Sequence, residues 1–128
     1  MLANAGDDAH LGHPADRFGG WVEVHCDHLA PEALLDALKA ARYYSTQGPA
    51  LRELLVEGDR LYVQTSEAYA ITLTGSGERW MSGTDRMSPS GAPLVEADFD
   101  LSPFRGSYCR LTVVDRAGRR AWSNPIWP

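Results

Sequence analysis

Several things that would narrow the function are missing from this sequence. Its 128 residues hold two cysteines, Cys26 and Cys109. They form no Cys-x-x-Cys pair, so no disulfide framework is indicated and reduced thiols are the default. No apolar run approaches the roughly 20 residues that span a bilayer, so no membrane segment is expected. The N-terminus lacks a basic stretch followed by an apolar one, so no secretory signal is recognisable and a cytoplasmic location is the expectation. Basic residues are in the minority: Lys39 is the single lysine and the net charge is −5. That balance argues against a nucleic-acid binder held by phosphate attraction. No histidine follows His28, no His-x-His occurs anywhere, and there is neither an internal repeat nor a low-complexity tail.

What is present is unevenly spread. Residues 1–28 carry Asp7, Asp8, Asp16, Glu23 and Asp27 against Arg17 alone, a net of −4, which leaves −1 of the total −5 for the other hundred residues. All four histidines, His10, His13, His25 and His28, share that stretch. Carboxylates together with imidazoles are the donor set of a divalent metal site. A polar loop with surface histidines explains the same composition equally well.

The pattern of apolar residues divides the chain. In "WVEVHC" Trp21 and Glu23 alternate with Val22 and Val24, as in a half-buried strand. In "LAPEALLDALKAARYY" Pro31 suits a first helical position, where a missing N–H costs nothing, and Glu32 suits the positive end of the helix dipole. Leu34, Leu35, Leu38 and Ala41 then mark one apolar face of a helix ending near Arg42, with Lys39 on the solvent side. From about residue 50 onward the pattern is all-β. "LRELLVEG" and "RLYVQTS" flank a hairpin turn at Glu57-Gly58-Asp59, and Tyr69, Ile71 and Leu73 share one face of "AYAITLTG". The Gly/Ser/Pro-rich residues 75–93 read as loop with a short strand at Arg79–Met81. Val95, Ala97 and Phe99 alternate, as do Cys109, Leu111 and Val113, before the turn "DRAGR" and a last strand in "RAWSNPIWP". Short strands at this spacing point to a sandwich or partial barrel. A lone strand and helix ahead of it cannot close a core. They must dock on the β unit, on a second copy, or on something outside this chain.

Three stretches carry a resemblance. "AGDDAH" is similar to the last metal-binding motif, Gly-x-Asp-x-His, of the PHP family, the polymerase-and-histidinol-phosphatase-type metal-dependent phosphoesterases. "FGGWVEVHCDHLAPEALLDALKAARYYSTQGPAL" resembles the closing helix of that family's (β/α) barrel and the run that leads out of it. "VVDRAGRRAWSNPIW" resembles the end of the β-sandwich that one subgroup carries after the barrel. The resemblance implies an α+β, mostly β chain: residues 1–49 as the C-terminal end of a PHP barrel, with last strand, metal-motif loop and closing helix, and residues 50–128 as a small antiparallel β-sandwich. It implies that Asp8 and His10 ligate divalent metal (Zn, Mn or Fe) and that the parent protein hydrolyses a phosphoester. The family's earlier His-x-His motif and its other His and Glu ligands have no counterpart here. Two ligands do not hold a catalytic metal. The chain is therefore expected to be inert alone and to associate with the missing barrel portion or with itself.

Other features read more plainly. Asp7 is expected to be a strand-end or loop residue, with a carboxylate that orients a ligating imidazole as the alternative. His13 and Asp16, on the loop that would cap the barrel mouth, are expected to be solvated rather than to contact substrate. "HCDH" at 25–28 looks like a metal cluster, but alternation sends His25 and Asp27 away from Val22 and Val24, so the four cannot converge. "YYSTQGP" reads as a helix exit with packed aromatics, and Ser45 lacks the Gly-x-Ser-x-Gly elbow of a nucleophile. Trp122 and Trp127 suit core filling better than a sugar-stacking platform, and Arg116, Arg119 and Arg120 suit a solvated hairpin tip. The rival to an enzyme fragment is a β-sandwich binding module with no catalytic role.

Overall fold

Alternation of apolar and polar residues at period two is satisfied by strands with one face buried, and several stretches of the chain obey it. The computed structural model describes residues 2–7, 9, 10, 12, 17–75, 84–87 and 91–128. In order these form β1 (Trp21–Val24), α1 (Pro31–Lys39), β2 (Tyr43–Thr46), β3 (Leu51–Glu57), β4 (Arg60–Ala68), β5 (Ala70–Gly75), β6 (Thr84–Met87), β7 (Leu94–Asp100), β8 (Cys109–Val114) and β9 (Arg120–Trp122). Among the described residues the strands make two antiparallel sheets, a six-stranded one in the order β1-β2-β9-β8-β5-β6 and a three-stranded one in the order β3-β4-β7. No described helix is long and apolar enough to cross a membrane.

The core lies between the sheets. Leu61 and Val63 of β4 and Phe99 of β7 meet Ile71 and Leu73 of β5 and Cys109, Leu111 and Val113 of β8, all fully buried. Leu101, just before the 3-10 turn Ser102–Phe104, and Phe104 at its end join the same cluster. The turn at Gly58-Asp59 closes the β3–β4 hairpin, with Gly58 at φ +56 in the left-handed region where glycine carries no Cβ penalty.

Several elements differ from expectation. The stretch "YYST" is strand β2, not a helix exit: Ser45 pairs with Val22 of β1 on one side and Trp122 of β9 on the other. Aromatic, hydroxyl and β-branched residues suit a paired strand better than the end of a helix. Helix α1 stops at Lys39 because Ala41 turns left-handed, φ +58. The N–H of Arg42 bonds the carbonyl of Ala37 (2.9 Å) and that of Ala41 bonds Leu38 (3.1 Å), the closing pattern of a Schellman motif with alanine in glycine's place. The stretch 75–93, read as loop, contains β6, which pairs with β5 at the sheet edge; Arg79–Met81 lie outside the described residues. Tyr69 is exposed, because the chain turns there before β5 begins. Val95 is exposed too, beside a register shift between β4 and β7, while Ala97 and Phe99 keep their buried alternation.

The apolar face of α1 is largely uncovered. Ala37 is its buried residue, whereas Leu35 is 50% and Leu38 38% exposed. Nearby in sequence, Phe18 and Leu29 stand almost fully in solvent at 84% and 90%.

Candidate functional site

The N-terminal segment is tied down by polar contacts rather than by a ladder. The Ser45 hydroxyl donates to the carbonyl of Ala3 (3.0 Å), which spends that hydroxyl on structure and leaves Ser45 buried. A Cβ built on Gly20 would stand 3.6 Å from that of Ala5 and 3.8 Å from the Thr46 carbonyl, so this segment runs beside the start of β1 and the end of β2. Asp7 holds the other end. Its carboxylate accepts the backbone N–H of Phe18 (2.5 Å) and of Gly20 (2.9 Å), one on each oxygen. Phe18 sits at φ +59, a left-handed turn, and consecutive N–H groups around such a turn form an anion-binding nest. The N–H groups of Gly20 and then Phe18 stabilise the carboxylate and hold the Asp7 carboxyl below its ordinary value.

Of the metal ligands implied by resemblance, His10 is exposed, and Asp8 lies outside the described residues, as do His13 and Asp16. Among the described residues no three His, Cys, Asp or Glu side chains come together in a way that could hold a metal ion. Residues 25–28 spread out: His25 lines a groove described below, Cys26 is half-buried, and Asp27 and His28 are exposed. The Cys109 thiol is pushed up to about 11 by burial, which makes it a packing residue rather than a nucleophile.

A groove of about 690 Å³ opens between the edge strand β3 and the β1–β2 side of the larger sheet. Leu51, Leu54 and Val56 form one wall and Tyr44 and Ile126 the other, with Glu23, His25, Arg42, Arg52 and Glu53 also lining it. The Tyr44 phenol is raised above its ordinary value by burial, and the nearby Glu23 carboxylate adds to this against the Leu51 amide. Nothing in the sequence pattern marks the groove, because its walls come from four separate segments. One faint signal is the pair Leu54 and Val56, both exposed on the face that should meet the other sheet. Trp122 does not line it. Trp127 is 68% exposed with its ring 5.3 Å from that of Tyr108, so it does not fill the core as expected, and among the described residues no ring contact joins it to Trp122. At the β8–β9 turn, Arg119 donates through Nε to Asp115 (2.7 Å).

The runs "YYSTQGP" and "GRRAWSNPIW" meet in one joint. Beyond the β2–β9 pairing, the N–H of Gln47 donates to the carbonyl of Arg120 (2.8 Å), and the Gln47 side-chain oxygen accepts the N–H of Arg120 (3.1 Å). The Asn124 amide donates to the carbonyls of Ala41 (2.9 Å) and Tyr43 (2.8 Å). These residues join the helix exit to the chain's last strand, which is a structural role. No family model, curated protein or solved structure matches the chain.

Proposed function

We propose that this chain is the C-terminal part of a PHP-type metal-dependent phosphoesterase. In this reading residues 1–49 are the end of its barrel and 50–128 its appended sandwich. The observation that carries it is the exposed apolar face of α1, where Leu35 and Leu38 stand exposed, as do Phe18 and Leu29 in the flanking sequence. A closing barrel helix packs that face against preceding strands, and apolar surface of this kind marks a place that another segment covers. Asp8 and His10 offer carboxylate and imidazole, the donors such a site takes. The assignment of Asp8 and His10 comes from the resemblance of the motif, and Asp7 has both oxygens engaged by backbone N–H groups. The remaining ligands would come from outside this sequence. Divalent metal there would supply Lewis acidity toward the phosphoryl oxygens and activate water. The role of this chain would be to fix one corner of the cluster and brace it through β1, β2 and the joint at Asn124.

The test is an assay on a chromogenic phosphomonoester with Mn²⁺ or Zn²⁺, using the 128-residue chain and a version extended by the in-frame coding sequence upstream of Met1. The expected result is no turnover by the first and metal-dependent turnover by the second, abolished by Asp8→Ala or His10→Ala. Turnover that survives both substitutions refutes the reading.

The rival, a β-sandwich binding module, draws support from the 690 Å³ groove, whose mixed apolar and charged walls are of the kind that hold a ligand. It expects Asp8→Ala and His10→Ala to change nothing and substitutions at Tyr44 or Arg52 to abolish binding.

A further inference from the structure

We infer that the free edge of β3 takes an extended peptide of alternating apolar and basic residues as a fourth strand of the smaller sheet, which deepens the binding reading of the groove and rests on it. That sheet, in the order β3-β4-β7, ends at β3, and among the described residues no strand pairs with β3 on its far side. The opposite edge is met by a neighbour: Arg86 of β6 donates to the Asp98 carbonyl of β7 (3.1 Å). A row of free N–H and C=O groups is a template for another strand, and natural edges are usually blunted by lysine, proline or an inward-pointing charge. In β3 a register shift between Leu51 and Glu53 bulges the strand at its start. Beyond it, Leu54 and Val56 stand opposite Val63 and Leu61, both fully buried, so the inward positions are apolar. Yet Leu54 is 38% and Val56 47% exposed. The smaller sheet overhangs here, and the groove occupies the space where the inward side chains of a fourth strand would lie, against Tyr44 and Ile126.

Charge selects the occupant. Residues opposite one another in a ladder share a face of the sheet. The outward face therefore presents Glu53 and Glu57 of β3 and Glu96, Asp98 and Asp100 of β7, with Arg60 of β4 between them and ion-paired to Asp98. A peptide laid beside β3 sets its outward side chains next to Glu53 and Glu57, where lysine or arginine is matched and a carboxylate is repelled. The same rule disfavours a second copy. Antiparallel pairing of β3 with itself about a two-fold axis keeps the outward faces together and brings Glu53 and Glu57 of both copies onto one surface. The inward positions, facing Leu54, Val56, Tyr44 and Ile126, take apolar side chains. Main-chain hydrogen bonds then supply affinity, and the alternate side chains supply specificity.

A capped peptide of alternating lysine and valine, seven residues long to match β3, tests this by NMR titration of the 128-residue chain. Expected are amide shifts across residues 53–57 and at Tyr44 and Ile126, slower hydrogen exchange along β3, and an affinity that falls as salt rises. Two further versions of the peptide are N-methylated on one or the other alternate set of residues. In a strand only one set of N–H groups faces its neighbour, so one version binds and the other does not. A glutamate–valine peptide binds more weakly than the lysine one. The double variant Glu53→Lys with Glu57→Lys, both exposed positions, weakens the lysine peptide about 10-fold while the core resonances stay in place. Equal binding of the two methylated versions overturns strand addition and leaves the groove as a binding site. Equal binding of the lysine and glutamate peptides overturns the basic partner. No shift in β3, Tyr44 or Ile126 at about 1 mM peptide refutes the binding reading itself, and the inference with it. A dimer in sedimentation whose β3 amides are protected without peptide makes a second copy the occupant and overturns the proposal.

Discussion

Asn124 is where the two halves of the chain are most economically tested. Its amide nitrogen donates to two carbonyls, Ala41 at 2.9 Å and Tyr43 at 2.8 Å, and those two acceptors fix its orientation. Asn124→Ala removes both bonds. Each is worth about 1 kcal/mol net, and a partly buried carbonyl left without a donor adds to that, for a total of about 2–3 kcal/mol. With an unfolding entropy near 2.1 cal/mol/K per residue, a chain of this length should lose about 7–11 °C in melting temperature. Asn124→Asp sharpens the test. An ionised carboxylate would face two carbonyl oxygens, so its folded pKa would lie above the unfolded value near 3.9. A carboxyl whose pKa is raised on folding destabilises when charged. The variant should therefore be most stable in acid and lose stability as pH rises through the unfolded pKa, levelling above the folded one. Urea unfolding between pH 3 and 8 measures both. A change under 0.5 kcal/mol in Asn124→Ala, or an Asn124→Asp profile parallel to wild type, would refute the joint as described.

Three more outcomes follow from the same geometry. Ala41→Gly relieves a left-handed alanine at the end of α1 and should raise stability by about 0.5–1 kcal/mol, read as a higher urea midpoint at constant slope. Gly75→Ala places a Cβ on the ring of buried Phe104 and 2.9 Å from the Tyr108 carbonyl, and should cost about 1–3 kcal/mol; Phe104→Leu in the same chain should recover part of it. Burial alone would raise the Asp115 carboxyl, but the Arg119 side chain and the N–H groups of Arg119 and Ala117 outweigh it and hold it below its ordinary value. Its contribution is therefore present above the ordinary carboxylate pKa and lost as pH falls through the folded one, so wild type and Asp115→Asn should differ at pH 7 and converge in strong acid.

How much of this was legible in the sequence depends on whether local rules or distant partners decide each element. Cys109, Leu111 and Val113 keep strict alternation, and the structure buries all three. Pro31 and Glu32 mark the start of α1, which begins at Pro31. The end of α1 was not legible, since a left-handed alanine leaves no trace where a glycine would. Strand β2 was hidden because four residues following a helix carry no period of their own, and their identity as a strand comes from β1 and from β9, more than 70 residues away. Strand β6 was masked by Gly, Ser and Pro on both sides. The apolar face of α1 has the spacing of a buried helix, and only the fold reveals that Leu35 and Leu38 are left 50% and 38% exposed. The hydrogen bonds of Asp7 likewise come from donors 11 and 13 residues on, beyond the reach of any local motif.

Calorimetric titration with Mn²⁺ or Zn²⁺ tests the central claim most directly, because that claim concerns where the ligands come from. Titrated alone, the 128-residue chain should show no tight stoichiometric site, since in the proposed reading Asp8 and His10 would supply only two donors. Extended upstream in frame, it should bind tightly and lose that binding in Asp8→Ala and in His10→Ala. Tight one-to-one binding by the 128-residue chain, or none by the extended one, would contradict the account.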